Sequence, residues 1–362
     1  MRVSLKTVGT LALAFLLTAP AAGCSEQEAP SSNGVPTEQS WEVTGDALGS
    51  NLGLGAYETT EFGPLALPED RGQYWENAYW FSEEDIPLVV PLTGDLEGKR
   101  VDRNGVLVVN WPGFEEPVYH PVALATYALY AFQAYELTGN EAYLERAEVN
   151  ARALIDGAQE VEGALWFPYL FDHWINGDQS MTLEAPWYSG MAQGQALDLF
   201  SKLCSATGDP GWCEAADKTF GSFLQTDLPG QSFAWVDDNG SLWLEEYVGT
   251  VPFTQVINGH MYSAFGLAEY ARRTGDELAT DMFNGAATTM LQRFDEFRQP
   301  GGISFYCNAE YCREVGWQPE NYHQGVARQF RVLGHLTDIK RFKEMQAEFT
   351  ADYKEWSEAA DG

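Results

Sequence analysis

Positive charge is scarce in this 362-residue chain. It has 21 Lys and Arg residues, of which only seven are Lys, against 53 Asp and Glu residues, and the formal net charge is −32. A protein that binds nucleic acid needs a basic face to neutralise phosphates, so this balance excludes a general nucleic-acid binder. The excess of acid indicates a solvated, strongly charged surface of the kind that stays soluble in a salty medium.

Several functional motifs are also absent. The sequence has no Gly-rich phosphate loop, no Walker pattern and no Gly-x-Ser-x-Gly elbow. Its five His residues lack metal-ligand spacing, so we predict no catalytic cofactor and no metal-ligating residues, and leave open only a calcium ion that supports the fold. What is present is 45% hydrophobic and 14% aromatic residues, which indicates a folded protein and not a disordered acidic chain.

The N-terminus has the pattern of an export signal over residues 1–23. Arg2 and Lys6 precede an apolar run from Val8 to Leu17, which is too short to span a bilayer comfortably. The small residues of Ala21–Cys24 resemble a bacterial lipoprotein signal, in which the Cys becomes the lipidated first residue. We therefore expect export and lipid anchoring through Cys24, at the bacterial cell surface or the periplasmic face of a membrane, followed by a flexible tether over 24–40.

Four Cys residues remain in a chain that is predicted to reach an oxidising compartment, where disulfides are favoured. Cys204 and Cys213 flank a turn, and Cys307 and Cys312 bracket four residues. Of the three possible connectivities, the sequence favours these two local pairs. A zinc site is the rival interpretation, but neither pair has a two-residue gap and no His is close in sequence.

A repeat gives the architecture. Thr-Gly-Asp-type breaks recur every 63 to 69 residues, and each separates two amphipathic runs. The predicted helix pairs are 120–137 with 141–157, 187–206 with 210–226, 258–274 with 277–298, and 322–336 with 338–356. Four helical hairpins at a fixed period predict a mainly α fold, an α/α barrel or toroid over 118–362 whose inner helices line a central cleft.

Short strands are predicted between the hairpins, at Trp166–Tyr169, Phe233–Val236 with Ser241–Leu244, and Ile303–Tyr306. In a toroid these β segments gather at one end, which is therefore rich in aromatic residues. Upstream, strand signals at Ile86–Leu92 and Gly105–Trp111 indicate a small β-rich N-terminal region over 41–117.

The densest cluster of chemically useful residues is Glu245-Glu246-Tyr247, at the end of a predicted strand. Two carboxylates and a phenol at a barrel mouth suit general acid–base chemistry, and a solvated loop is the alternative interpretation. Tyr322-His323, at the start of a predicted helix, invites the same interpretation, with a packing tyrosine and a capping neighbour as its alternative.

Three segments resemble a known family. Pro186–Gln195, Trp243–Tyr247 and Asn258–Leu267 look like the C-terminal catalytic domain of the D-glucuronyl C5-epimerases, which convert glucuronate to iduronate in heparosan and heparan sulfate precursors. Tyr119–Pro121 resembles the start of that domain and Asn321–His323 its last motif, so the similarity spans about 118–350 in order. The resemblance implies an isomerase, a C5-epimerase acting on a heparosan-like polysaccharide, on the α/α barrel that the repeat predicts independently.

By this resemblance, Glu246, Tyr247 and Tyr322 occupy the positions of the family's catalytic residues. A further catalytic Tyr corresponds to Tyr306, with Phe305 as a competing register. The implied reaction removes the proton at C5, next to a carboxylate, and returns one to the opposite face. It therefore needs two proton-transfer groups and a cation or strong donors at that carboxylate. We predict that Tyr247 and Tyr322 face each other across the sugar, with Glu246 as a base or as the group that orients one of them.

The substrate-binding residues are less specified. The family's Arg three residues after the further Tyr is replaced by Ala309, and a second His of the last motif by Val326. We predict Arg313 and Arg328 as cations that bind the anionic chain. The other predicted substrate contacts are His323 and a sugar-stacking wall of Trp187 and Tyr188, with plain core as the alternative for the last two.

Two other functions fit the same cleft. A polyuronide lyase begins with the same C5 proton and then expels the C4 substituent, and a non-catalytic surface lipoprotein would only bind the glycan. In all three cases the partner is an anionic, uronate-containing polysaccharide, with no nucleic acid and no membrane contact beyond the N-terminal lipid. The resemblance also allows a homodimer.

Overall fold

The computed structural model describes residues 45–46, 54–63, 65, 83–92, 99–316 and 319–360. The predicted signal over 1–23, the lipidation site Cys24 and the tether over 24–40 lie outside the described residues. Within the described ranges, no helix has both the length and the apolar character needed to cross a membrane.

The N-terminal region contributes short elements. Strands β1 (Gly45–Asp46) and β2 (Glu58–Thr59) pair with each other, as do β3 (Lys99–Val101) and β4 (Leu107–Val109), the latter inside the predicted strand 105–111. The predicted strand over Ile86–Leu92 is wrong, because α1 (Ile86–Val89) lies there. Pro87 sits in the first turn of this helix, where its missing N–H costs nothing, and the acidic Glu83–Asp85 precedes it at the favourable end of the helix dipole.

The four predicted helical hairpins are confirmed. In chain order, the helices are α2 (Pro121–Thr138) and α3 (Glu141–Asp156), α4 (Gly190–Thr207) and α5 (Pro210–Leu224), α6 (Ile257–Thr274) and α7 (Glu277–Phe297), a short α8 (Glu310–Val315), and finally α9 (Glu320–Leu336) and α10 (Lys340–Ala360). The first member of each pair belongs to the inner layer and the second to the outer layer of an α/α barrel.

The first three breaks are built alike. Gly139, Gly208 and Gly275 have φ values of 67°, 69° and 71°, a left-handed conformation that Gly adopts without a steric penalty. The next residue then caps the outer helix by accepting a backbone N–H bond: Asn140, Asp209 and Asp276 do so from Ala142, Gly211 and Ala279. The repeated sequence signal therefore codes directly for the hairpin turns.

The inner helices contact one another closely. A Cβ added to Gly194 of α4 would lie 2.3 Å from Ser263 Cα of α6, so the backbones of α4 and α6 meet where no larger side chain fits. On one side of this pair, Thr126 of α2 donates a hydrogen bond to Gln195 of α4 at 3.2 Å. On the other side, Gln329 of α9 donates to the Asn258 carbonyl of α6 at 3.0 Å. These contacts order the inner layer as α2, α4, α6 and α9.

Short β segments lie between the hairpins. The strands are β5 (Gln159–Val161) with β6 (Ala164–Trp166), β7 (His173–Trp174) with β8 (Thr182–Leu183), and β9 (Ala234–Val236) with β10 (Leu242–Leu244). The predicted β9–β10 hairpin is confirmed, with Trp235 opposite Trp243. The predicted strand Ile303–Tyr306 is wrong: the segment joins no ladder, because the Ser304 N–H bonds to the imidazole of His323 and the Phe305 N–H to the Phe297 carbonyl.

Both predicted disulfides, Cys204–Cys213 and Cys307–Cys312, are present. The first joins the end of α4 to the start of α5 across their turn. The second lies beside Tyr306, where Cys307 and Cys312 are buried with Val256 against Tyr247 and Tyr322. The second disulfide therefore supports the segment that carries the predicted catalytic tyrosine.

Candidate active site

Three buried polar side chains anchor the segments between the hairpins to the barrel. Gln193, His260 and His323 are each the fourth residue of their inner helix, α4, α6 and α9. Each accepts a backbone N–H bond from the segment that precedes its helix, from Phe167 at 2.9 Å, Leu244 at 3.1 Å and Ser304 at 3.0 Å respectively. On their other side they contact the outer helices, at Ser222, Ala286 and Phe349. Equivalent hydrogen bonds in three repeats thus hold three segments at the same level along the barrel axis, at its mouth.

The residue two positions after each anchored residue belongs to the candidate site. These residues are Tyr169, Glu246 and Tyr306. The common spacing puts all three at equivalent positions of their repeats. Equivalent positions of three repeats therefore supply residues to one candidate site.

The four sequence-predicted catalytic residues are brought together. Tyr306 Oη donates a hydrogen bond to Glu246 Oε1 at 3.2 Å, and the hydroxyls of Tyr306 and Tyr247 are 2.9 Å apart. The ring of Tyr322 meets that of Tyr306 edge-on, with centroids 5.0 Å apart and planes at 81°. Of the two residues that the sequence left as alternatives, Tyr306 contacts the cluster, whereas the ring of Phe305 lies under Arg313.

Glu246 is a buried carboxylate that is only partly hydrogen-bonded. Burial raises its pKa to about 7, and the charge of Glu245 adds to the rise, while hydrogen bonds with Tyr247 and Tyr306 oppose it. Its Oε2 is buried and has no hydrogen-bond partner among the described residues. A carboxylate with a pKa near neutrality and an unused oxygen is suited to accept a proton.

The phenols around Glu246 are held protonated. Burial, and after it other contributions that include the charge of Glu246, raise the pKa of five tyrosines: Tyr169, Tyr247, Tyr262, Tyr306 and Tyr322. Tyr262 also lies near the positive charge of Arg328, which opposes the rise, and its pKa is about 12. At neutral pH these groups are therefore proton donors, and Glu246 is the natural base among them.

Glu245 is equally buried but has a different environment. Its carboxylate accepts hydrogen bonds from Trp235 Nε1 at 3.0 Å and from the backbone N–H groups of Thr254 and Gln255 at 3.1 to 3.2 Å. Gln255 in turn binds the segment that follows Tyr306, since its Oε1 accepts from Asn308 Nδ2 at 3.0 Å. Glu245 therefore holds two loops together, and its oxygens are occupied.

Three of the predicted substrate contacts lie in packing positions. Trp187 is buried, stacks on Tyr169 with centroids 3.7 Å apart and donates from Nε1 to the Phe171 carbonyl at 2.8 Å. Tyr188 is buried with its hydroxyl donating to Gln159 at 2.8 Å. His323 is the α9 anchor described above. Trp187 and Tyr188 are thus part of the core, as in the alternative interpretation of the sequence.

The two predicted arginines differ. Arg313 is not brought to the tyrosine cluster: it lies over the ring of Phe305 at 4.7 Å and donates to the Glu296 carbonyl and to Asn308. Arg328 is half-buried on α9, and its charge acts on Tyr130 of α2 and Tyr262 of α6. Arg328 is therefore the predicted cation that faces the cleft.

Sequence reasoning missed Tyr262 and Tyr169 as members of this cluster, although both lie near motifs that it used. Tyr262 is in the Asn258–Leu267 motif, two residues after the anchor His260. A signal in the sequence could have found both residues. When the repeats are aligned on their anchor residues, Tyr262 lies two positions after an anchor, and Tyr169 lies two positions after a residue that an anchor binds. Within the described ranges, no three or more His, Cys, Asp or Glu side chains are grouped so that they could hold a metal ion.

The comparisons with known proteins bear on this cluster directly. The family described as D-glucuronyl C5-epimerase C-terminus matches residues 166–351, slightly more than half of the chain. The chain belongs to this family. The match begins at the last residue of β6 and includes Glu246, Tyr247, Tyr306 and Tyr322, so the matched region contains the four predicted catalytic residues.

A D-glucuronyl C5-epimerase from Caenorhabditis elegans is 26% identical over 128 residues, which are 34% of this chain and 19% of that relative. The chain therefore matches about a fifth of the curated C5-epimerase. Among solved structures, a D-mannose isomerase has a TM-score of 0.51 at 13% identity, covering 80% of this chain and 72% of that one. An α-mannanase from Bacteroides thetaiotaomicron has a TM-score of 0.49 at 12% identity, covering 70% and 63%. The isomerase confirms the α/α-barrel fold.

Gly259 should be essential for the position of Glu246. A Cβ added there would lie 2.4 Å from Glu246 Oε2 and 2.7 Å from its Cβ, so Gly259→Ala must displace the carboxylate. We expect Gly259→Ala to lower the free energy of unfolding by about 1–3 kcal/mol, as overpacking does, and to reduce turnover. Denaturant unfolding checks this. The matched control is Gly325→Ala in α9, where a Cβ meets nothing closer than 4.0 Å and where Ala should stabilise the helix. If Gly259→Ala were as stable as the natural protein, the close contact between Gly259 and Glu246 would be contradicted.

Proposed function

We propose that this protein is a C5-epimerase that converts D-glucuronate to L-iduronate residues in a heparosan-like polysaccharide. The observation that carries the proposal is the buried Glu246 carboxylate, with a pKa of about 7 and a free oxygen, placed among protonated tyrosines. Inversion at C5 needs one group that takes a proton and another that gives one. This cluster supplies both.

In the proposed reaction, Glu246 removes the C5 proton, and the electron pair of the C–H bond moves into the adjacent carboxylate. Tyr322 donates its phenolic proton to C5 from the opposite face, and the pair returns to carbon. The products are iduronate, protonated Glu246 and a Tyr322 phenolate. Glu246 then loses its proton to water and Tyr322 regains one, which restores the site.

Tyr247 and Tyr306 support the base in this scheme. Their hydroxyls are linked at 2.9 Å, and Tyr306 donates to the carboxylate oxygen of Glu246 that is not needed for proton transfer. The negative charge that develops on the substrate carboxylate needs a cation. Arg328 meets this need because it is half-buried, and its charge reaches Tyr262, which also lies near Glu246.

Two observations support a polymeric substrate in this proposal: the family match, and the position of the cluster at the mouth of the barrel. A protein with a net charge of −32 must attract an anionic chain locally and not through its overall field, so cations within the cleft are required. Export with lipid anchoring through Cys24, a homodimer and a calcium ion that supports the fold stay predictions from the sequence.

Incubation with heparosan tests the proposal against the other two functions. Formation of iduronate, measured by disaccharide analysis after depolymerisation, is the expected result. A rise in the ultraviolet absorbance of unsaturated uronate without iduronate would show a lyase. Neither product, together with retained binding of heparosan, would show a glycan-binding protein; either outcome contradicts the epimerase.

The rate should depend on pH through Glu246. Its raised pKa of about 7 means that the carboxylate is the minor form below neutrality. As the base must be ionised, kcat/KM should fall about tenfold for each pH unit below 7 and level off above it. The pH profile of iduronate formation between pH 5 and about 9 measures this; a limb that is flat down to pH 5 would assign the base to another group.

A further inference from the structure

Two arginines share one face of α9. Arg328 and Arg331 are three residues apart, and His335 follows after four more, so all three lie along the same side of the helix. The charge of Arg328 acts on Tyr130 of α2 and on Tyr262 of α6, which belong to two other inner helices. Arg328 therefore faces these two inner helices, and Arg331 follows it one turn further along α9.

Neither arginine has an acidic partner. Five other half-buried arginines pair with carboxylates: Arg272 with Glu269, Arg273 with Asp217, Arg293 with Glu296, Arg298 with Asp352 and Arg341 with Glu348. The half-buried Arg146 instead donates to the Tyr127 hydroxyl and the Leu92 carbonyl. Among the described residues, no acidic side chain lies within ion-pair distance of Arg328 or Arg331. The Nε of Arg331 is moreover buried without a hydrogen-bond partner.

This arrangement costs free energy in the protein alone. Burial lowers the pKa of the Arg331 guanidinium, and the like charge of Arg328 lowers it further. The chain has 53 acidic residues, and none that the structure describes neutralises this pair. Unpaired buried charge is retained where a ligand supplies the counter-ion, because an isolated buried cation is otherwise destabilising.

We propose that Arg328 and Arg331 form a subsite for the carboxylate of a uronate, in which Arg331 is a residue that determines specificity. The proposal rests on the proposed function, since the same uronate must present its C5 to Glu246. The charges of Arg328 and Glu246 both act on Tyr262, so the subsite and the base lie near one common residue, as binding of a single uronate by both requires.

The subsite explains selection between acidic and neutral sugars. Arg presents a planar fork of donors that matches a carboxylate, with charge-assisted hydrogen bonds. A neutral hexose offers a hydroxymethyl group there and leaves both guanidinium groups without a counter-ion. A site built in this way rejects the analogue that lacks the matching group.

Binding of free D-glucuronate, with D-glucose and inorganic phosphate as comparison ligands, tests the subsite without turnover. We expect calorimetric titration of the natural protein to show binding of glucuronate and not of glucose, with phosphate weaker. Arg331→Gln should weaken glucuronate binding by about tenfold or more, the loss expected for a charge-assisted hydrogen bond to a carboxylate. Arg152→Gln, which removes one charge from an exposed pair with Glu148, is the control and should bind like the natural protein.

Stability separates loss of the ligand contact from loss of the fold. Arg331→Gln removes an unpaired, half-buried charge, so the Tm of the ligand-free variant should equal or exceed that of the natural protein, while the glucuronate-induced rise in Tm disappears. The proposal is overturned if the natural protein fails to bind glucuronate, binds glucose or phosphate equally well, or if Arg331→Gln binds glucuronate unchanged. Selective binding of glucuronate without iduronate formation would instead contradict the epimerase alone.

Discussion

Glu246→Gln should lower the rate of C5 proton exchange in heparosan by about 10³-fold, because general base catalysis contributes roughly 10²–10⁴-fold and the amide cannot accept the proton. The side chains are isosteric, so the hydrogen bond from Tyr306 to the remaining oxygen can persist. Deuterium incorporation at C5, followed by NMR spectroscopy of the polymer, measures the rate. A variant that retains more than about a tenth of the natural rate would exclude Glu246 as the base.

Glu245→Gln is the matched comparison, since this neighbouring carboxylate is also buried and its pKa is also about 7. Either orientation of the new amide places an NH₂ group against two of the donors Trp235 Nε1, Thr254 N and Gln255 N. We therefore expect Glu245→Gln to destabilise the protein by about 1–3 kcal/mol for each donor left unsatisfied. Glu246→Gln should thus mainly lose the rate of C5 proton exchange, whereas Glu245→Gln should mainly lose stability.

The pH dependence of stability gives a second contrast. The folded-state pKa of Glu246 lies above its unfolded value of 4.5, so the folded state holds the proton more tightly, and its stability falls as pH rises through about 7. Glu246→Gln removes that loss. The variant should therefore be more stable than the natural protein above pH 7, with the difference vanishing below the unfolded pKa.

Tyr322→Phe should reduce iduronate formation by about 10²–10³-fold, because the acid that serves the second face of C5 is removed. Proton exchange should survive, since Glu246 can take the C5 proton, exchange it with solvent and return it to the same face. Deuterium should therefore appear at C5 of glucuronate with little iduronate. This pattern differs from that of Glu246→Gln, which should lose both C5 proton exchange and iduronate formation.

The control for Tyr322→Phe is Tyr270→Phe. Tyr270 lies near the other end of α6, away from the mouth, and its hydroxyl donates to Asp217 at 3.1 Å. Loss of this hydrogen bond should change stability slightly and leave both rates unchanged. If Tyr322→Phe forms iduronate at the natural rate, Tyr322 is not the acid; if exchange and inversion fall together, the two-face scheme is wrong.

The helical part of the fold was predictable because its signals are local. Gly139, Gly208 and Gly275 mark left-handed helix ends, and the Asn or Asp that follows each one caps the next helix. The strand prediction failed at Ile303–Tyr306 because this segment, rich in residues that favour strands, was interpreted without its hydrogen-bond partner. The partner is the imidazole of His323, contributed from a helix that begins more than ten residues later, and no local pattern reveals it.

The motifs pointed to Glu246, Tyr247, Tyr306 and Tyr322, which lie together in the structure, whereas the positions of the predicted substrate contacts were not predictable from sequence. Trp187 and Tyr188 belong to a motif of the family, but their backbone bridges Tyr169 and Val248, and both side chains are buried by their neighbours. Arg313 and Arg328 looked equivalent as nearby cations. Only the helix face distinguishes them, because α9 turns Arg328 inward while the short α8 leaves Arg313 on Phe305.

The most direct measurement of the central claim is the reaction of the natural protein with heparosan in heavy water. NMR spectroscopy should show deuterium at C5 of both glucuronate and newly formed iduronate, with no unsaturated uronate and with the exchange removed by Glu246→Gln. Iduronate that retains its C5 hydrogen, or a complete absence of exchange in the natural protein, would contradict a Glu246–Tyr322 proton-transfer mechanism.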